Sequence, residues 1–451
     1  MSTQRRWYRH PGTVRVAIAL GLLVSFGMWL LPRLGPGVHS PPLVTTATSP
    51  TGADAWGNNA SGELDDGTTV NRPLPVAMVG LQGAASIAVG DVHGLAIAAG
   101  GGVVAWGHNR SGQLGNGSTA DSHTPLAVAS LGGVTAVAAG NAFSLALRGD
   151  GAVFAWGNNQ SGEAGNGTAP TDQHTPVQVS GLGPGSGVVG IAAGGSHAFA
   201  LKRDGTVLGW GNNGSGELGD GTTTDRPTPV QVSGLGPGSG VVDIAAGETF
   251  SLALKADGTV LAWGNNQSGE LGDGTAPTDQ HTPVQVSGLG PGSGILEVVG
   301  GGAHSLALKA DGTVLAWGNN KSGELGDGSA PADQHTPVPV ALPAGARALD
   351  IAAGLEHSLA LLSNGTVLAW GDNALGQLGD GTTTRHSTPI AVSSLGAGSG
   401  VVLVLAADNH SHALFANPNT PLQGAAAPKS ARGVSSAKPA QPMAQTPSLT
   451  G

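Results

Sequence analysis

The dipeptide Trp-Gly recurs seven times, with Trp at 56, 106, 156, 210, 263, 317 and 370. Successive spacings are 50, 50, 54, 53, 54 and 53, so the chain is built from near-identical units. Such a period marks solenoids and propellers, in which each unit buries its apolar face against the next. Within one unit, VVDIAAG (Val241 to Gly247) is a short apolar run, and TFSLALKADGTVLAWG (Thr249 to Gly264) is two alternating runs around Asp257-Gly258. Asp-Gly between alternating runs signals a hairpin, because that turn needs positive φ. A polar stretch, GNNQSGELGDG, and a fourth run, TPVQVSG (Thr282 to Gly288), complete the unit. No part of it has helical periodicity. Four antiparallel strands repeated radially are propeller blades, so the expected fold is all-β.

The ends of the repeat distinguish a ring from an open array. A second signature, of the type AAGxxHSLAL, also occurs seven times, beginning near Ala88, Ala138, Ala192, Ala245, Val298, Ala352 and Ala406. The first WG strand, Ala53 to Gly57, has no such signature before it, and the last signature, ending at Phe415, has no WG strand after it. The N-terminal strand is therefore expected to complete the blade begun by the C-terminal strands. That pairing closes a seven-bladed ring and removes exposed sheet edges.

The 451 residues include 78 Gly, no Cys and a formal net charge of −10. The absence of Cys excludes disulfides, thiolate catalysis and Cys-based zinc sites. All 29 acidic residues lie between residues 51 and 415, against 11 basic ones, so this region carries −18. A surface with that balance repels phosphate backbones, which excludes nucleic acid as the expected partner. The N-terminus is basic, with Arg5, Arg6, Arg9 and Arg15, and is followed by 16 uncharged residues from Val16 to Leu31. A transmembrane helix needs roughly 17–25 apolar residues, so both a signal peptide and an uncleaved anchor fit, the anchor slightly better. The expected layout is a basic flank and apolar helix (1–31), a Pro/Ser/Thr-rich linker (32–52), the ring (53–415) and a flexible tail (416–451). The positive flank places the ring outside the cytoplasm, either membrane-anchored through residues 14–31 or secreted.

The repeats read AAGxxHSLAL, then DGxVxxWGxNxxGxLGxG, then a Pro-containing strand, and over residues 53–415 they resemble the regulator-of-chromosome-condensation repeat. The resemblance implies a seven-bladed propeller. The founding member of that family is a guanine-nucleotide exchange factor that binds chromatin, using a wedge from one blade and a basic surface. Here the unit lengths are nearly uniform and the ring is acidic. Secreted propeller inhibitors of β-lactamase look similar in their AAGxxHSLAL and WG strands. Such inhibitors grip with aromatics, but the Tyr-free ring keeps its Trp at the repeating position and most of its Phe in strand signatures.

Three residue patterns are candidates for chemistry. The first is the acidic pair of the polar stretch: Glu63/Asp66, Glu217/Asp220, Glu270/Asp273 and Glu324/Asp327. In other units it becomes Gln113/Asn116, Glu163/Asn166 and Gln377/Asp380. Catalytic or calcium-binding carboxylates would not survive exchange to amides, whereas Asn and Asp before Gly make turns. The second is Asp-x-His at Asp121/His123, Asp172/His174, Asp279/His281 and Asp333/His335, which an extended segment would place on one face. Two ligands per blade are too few for a metal. The third is the His of AAGxxH at 93, 197, 304, 357 and 410, replaced by Phe143 and Phe250 in two units. That exchange reads as a semi-buried packing slot with the ring nitrogen satisfied locally. Asp65, Glu248 and Glu356 break the repeat, and nothing in the sequence groups them. No catalytic, cofactor or metal residue is therefore assigned. The expected function is a monomeric, non-enzymatic scaffold binding a protein or an envelope polymer, basic in character. The alternatives are an exchange factor or effector acting on a small GTPase, and a secreted enzyme inhibitor.

Overall fold

The alternating runs become 28 strands in a computed structural model that describes residues 52–81 and 83–416. The expected apolar helix, nearly all of the linker and the tail beyond Ala416 lie outside the described residues. The strands form seven four-stranded antiparallel sheets, and the described residues contain no helix. Blades 1 to 6 cover residues 86–127, 134–178, 188–231, 241–285, 295–339 and 348–391. Blade 7 takes strands from both ends of the described chain, β27 (Val401–Ala407) and β28 (His410–Phe415) with β1 (Gly52–Gly57) and β2 (Arg72–Ala77). β1 pairs with β28 from Gly52↔Phe415 to Gly57↔His410.

In blade 4 the second and third strands pair from Phe250↔Gly264 to Leu254↔Val260, folding about Asp257-Gly258 as the sequence predicts. The fourth strand begins at Gln280, two residues before the expected start, because Gln280 pairs with Gly264 beyond a bulge of residues 281–283 opposite Trp263. The Gly of each Trp-Gly pair has a backbone reason. Gly264 has φ +104°, and a Cβ there would lie 2.7 Å from the Thr249 carbonyl oxygen and 2.8 Å from the Phe250 Cα. Only Gly fits that close approach.

The core lies between blades. All seven ring Trp are fully buried. Trp317 of blade 5 packs among Phe250, Leu252, Leu254, Val260 and Leu271 of blade 4, so each Trp plugs the preceding blade. Its indole Nε1 donates to the Glu270 carbonyl oxygen at 2.8 Å. The same bond recurs at every junction, including Trp56 to the Gln377 carbonyl at 2.9 Å.

The His slot differs from the sequence expectation in two respects. His93, His197, His304, His357 and His410 are completely rather than partly buried, as are Phe143 and Phe250. The partner of Nε2 is also not local: in four junctions it is the Ser hydroxyl of the next blade, as in His304 to Ser358 at 2.9 Å. That Ser in turn donates to the carbonyl that accepts the Trp indole, as Ser358 does to the Glu324 oxygen. Phe143 stands where the next blade has Ala198 instead of Ser, so no hydroxyl is left waiting for a His nitrogen.

Candidate interaction faces

Antiparallel alternation sorts the loops. The first and third strands of a blade end on one face, carrying the AAGxxH turn and the long GNNQSGELGDG turn. The second and fourth end on the other, carrying the Asp-Gly hairpin and the connector to the next blade. These are the turn face and the hairpin face. Successive first strands touch all round the ring, so they are the innermost layer and line the channel.

On the turn face, Asn266 is the hub of the long turn. Its Nδ2 donates to Asp273 Oδ1, Thr275 Oγ1 and the Thr278 carbonyl, and its Oδ1 accepts from the Leu271 amide. Glu270 is buried, its Oε2 accepting from the Ser268 amide at 2.9 Å. Gln113 Oε1 accepts from the Ser111 amide and Gln377 Oε1 from the Leu375 amide. An amide oxygen therefore does the carboxylate's work, which explains the Glu–Gln exchange. Burial raises Glu163, Glu217 and Glu270 above the usual carboxylate range and pushes Glu324 up to about 7. The following Asp behaves oppositely. Burial pulls Asp220 upward, but bonds from Thr222, Arg226 and Asn213 outweigh it and hold the carboxyl low.

The Asp-x-His pairs are split by the fold. Asp279 Oδ1 accepts from the Asn266 amide within its own turn, whereas His281 lies against Gly216 of the preceding blade, where a Cβ would stand 2.5 Å from its ring. His123, His174 and His335 sit likewise over Gly62, Gly112 and Gly269. The expected shared face fails because Asp279 belongs to the turn and His281 to the strand. Among the described residues no group of three or more His, Asp or Glu is placed to hold a metal.

The channel mouth on the turn face gathers residues that the sequence left apart. The residue two before the His or Phe slot of each blade is Asp91, Asn141, Gly195, Glu248, Gly302, Leu355 or Asp408, one per blade, lining a cavity of ≈ 110 Å³. Asn141 Nδ2 donates to Glu248 Oε1 at 2.8 Å. Burial, then the charges of Glu248 and Asp408, push Asp91 up to about 8. Of the three residues that break the repeat, Glu248 joins this cluster. Asp65 is instead buried and accepts from the Gly80 amide, and Glu356 accepts from Ser322 Oγ. The signal for the cluster was positional: acidic residues at the same repeat position in units 1, 4 and 7.

The sequence profile of the RCC1-like domain matches residues 53–417, the whole ring. The chain belongs to the RCC1-like domain family. Among curated proteins it is similar to the ultraviolet-B receptor UVR8 of Arabidopsis thaliana, 34% identical over 205 residues, 46% of each chain. The match thus takes in about half the length of that relative. Among solved structures the human WBSCR16 is 25% identical with a TM-score of 0.71, covering 81% of this chain and 100% of that one. Prp20p from Saccharomyces cerevisiae shares the fold at 24% identity and a TM-score of 0.71, covering 84% and 94%.

Charge divides this RCC1-like ring by face. Counting loop residues and the strand-end Arg72 and Arg226, 21 of the 29 acidic residues and five of the 11 basic ones belong to the turn face, a balance of −16. The hairpin face holds four acidic residues in its loops (Asp150, Asp204, Asp257 and Asp311) and six basic ones in loops or at strand ends. The remaining four carboxylates, Asp54, Asp243, Glu297 and Asp350, lie three residues in from the same strand ends, so the balance of this face is near zero, −2 with all of them counted.

Proposed function

We propose that this RCC1-like ring is a non-catalytic scaffold that binds a basic protein through its turn face. We further propose that it acts as a single copy outside the cytoplasm, held to the membrane through residues 14–31. The observation that carries the reading is the formal −16 balance of the turn face, with Glu248 and Asp408 at the channel mouth beside an Asp91 that burial keeps largely protonated at neutral pH. A field of that sign focused on a concave mouth attracts a cationic partner and speeds its association. The turn carboxylates serve the turns themselves, so the scaffold stays rigid while half-exposed ones such as Asp279 and Asp333 still contribute charge. The basic flank and apolar run at the N-terminus support export. Prp20p, solved with its binding properties to Gsp1p and histones, is an instance of a ring of this shape engaging proteins.

The test uses the full chain as bait in extracts of cell envelopes. A protein should be retained at low salt and released as salt screens the face, and Glu248→Gln with Asp408→Asn should weaken its retention. Capture of a glycan in place of a protein, or no salt-sensitive ligand at low salt, would overturn the reading.

A further inference from the structure

The hairpin face carries a repeated aliphatic and basic motif. In blades 3, 4 and 5 the first strand bulges opposite the end of the second. Val188 and Gly190 pair with Lys202 and Leu201, Val241 and Asp243 with Lys255 and Leu254, and Ile295 and Glu297 with Lys309 and Leu308. Blade 6 bulges in the same place, between Ala348 and Asp350. The skipped residues are Val189, Val242, Leu296 and Leu349, and a bulge turns its extra side chain out of the ladder. Val242, Leu296 and Leu349, on successive blades, are 39%, 53% and 45% exposed, unusual for aliphatics in a ring whose other strand leucines are mostly buried. Lys202, Lys255 and Lys309 stand beside this aliphatic arc.

Both ends of the described chain leave on this face. Gly52 and Val401 each pair with Phe415, and the Ala416 amide donates to the Gly400 carbonyl. The residues leading to Gly52 include the uncharged run Val16 to Leu31 behind a basic flank, separated from the ring by residues 32–51. Those 20 residues can span at most about 70 Å, so a ring anchored through the run stays within that distance of the surface that holds it. The chain's own tail does not complement the arc: beyond residue 416 it carries Lys429, Arg432 and Lys438 and no acid.

We propose that the hairpin face rests on an anionic lipid bilayer, with Val242, Leu296 and Leu349 against the headgroup layer and Lys202, Lys255 and Lys309 at its phosphates. The proposal relies on the anchoring stated above and is independent of the partner of the turn face. An anionic surface repels the −16 face far more than the near-neutral hairpin face, so charge sets the orientation while the tether supplies proximity. Because Asp204, Asp257 and Asp311 offset part of the lysine charge, the contact orients the ring without holding it unaided.

The chain has no cysteine, so single-site labelling has no background. Leu296→Cys, Leu349→Cys and, on the turn face, Lys321→Cys are each placed in the full chain and labelled with an environment-sensitive fluorophore. Each is reconstituted into vesicles of equal parts phosphatidylglycerol and phosphatidylcholine carrying headgroup-region spin-labelled lipid. Quenching should be several-fold stronger at 296 and 349 than at 321. It should fall in phosphatidylcholine alone, and when Lys202, Lys255 and Lys309 are changed to Gln. Equal quenching at all three sites, or the strongest at 321, would overturn the proposal, as would quenching at 296 and 349 that appears only on adding envelope proteins. Flotation with the vesicles separates the two readings. A chain that fails to float refutes the anchoring, and one that floats with unquenched labels refutes the face assignment.

Discussion

In the second strand of blade 7, His412 fills the slot that holds Leu95, Leu145, Phe199, Leu252, Leu306 and Leu359 in the other blades. It is fully buried, bonded through Nε2 to His410 Nδ1 at 2.9 Å, and its own Nδ1 has no partner. Burial, then the neighbouring His410, lowers its pKa well below 6.5. An orphaned buried polar atom costs about 1–3 kcal/mol. His412→Leu removes that orphan but takes the partner of His410 Nδ1 away, so the two effects largely offset and the net gain at pH 7 should be small, under about 1 kcal/mol. His410 would then resemble His93, His197, His304 and His357, whose Nδ1 atoms are also unpartnered. The gain should be larger at pH 5, because a His with a depressed folded pKa loses stability as pH falls through the unfolded value. Denaturant midpoints at the two pH values check this; an equal or smaller gain at pH 5 refutes it. The odd His in HSHAL was visible in the sequence, but the burial of its slot was not, because His410 beside it recurs as an ordinary part of the motif.

At the scale of the turn and the strand, the repeated unit tolerates some exchanges and forbids others that look similar. Glu324→Gln keeps the oxygen that accepts from the Ser322 amide and removes a carboxyl whose pKa burial has pushed up to about 7. It should stabilise the ring at pH 8, above the folded pKa, and leave it nearly unchanged at about pH 3.5, below the unfolded value of 4.5, as thermal unfolding at both values would reveal. Gly94→Ser imports the residue found in most other blades, yet it should destabilise by about 1–3 kcal/mol from overpacking. A Cβ at Gly94 would lie 2.2 Å from the Trp106 ring, and His410 has already taken the Gly90 carbonyl as its acceptor. Consensus is a poor guide at this junction. The strands, hairpins and polar turns were legible because their periodicity and Asp-Gly chemistry are local. The bulges were not, since Val241-Val242 reads as one continuous apolar run until pairing shows which residue is skipped.

For the molecule as a whole, buried His and buried carboxyls pull stability in opposite directions. Burial lowers His93, His197 and His357 to about 3 and His304 to about 4, so their contribution is lost as pH falls below about 6.5. Burial raises Asp65, Asp243 and Glu324 to about 7 and Asp91 to about 8, so their contribution is lost as pH rises toward those values. The melting temperature should hold a plateau between about pH 4 and 6.5 and decline on either side. His304→Phe, which copies the residue of blades 2 and 4, should tilt that plateau upward at its acid end; scanning calorimetry across pH would detect a curve that stays level instead. The count of seven units was readable from the Trp-Gly spacing, but Asp91 and Asp408 stand 317 positions apart and meet only because the ring brings blades 1 and 7 together.

The pairing of β1 with β28 also sets a timetable. A chain made from its N-terminus can pair Gly52–Gly57 with β2 early but must carry that hairpin without β27 and β28 until Phe415 has emerged. Six blades can pack one after another as they appear, each helped by the last. The seventh depends on loop closure across nearly the whole ring, the slowest kind of contact to form. Until then the chain is an open arc, with the open edge of the β1–β2 hairpin at one end and an uncovered blade surface at the other. A chain stopped one blade short would keep both edges exposed and should aggregate, so the final strands act as the lock on the preceding six blades.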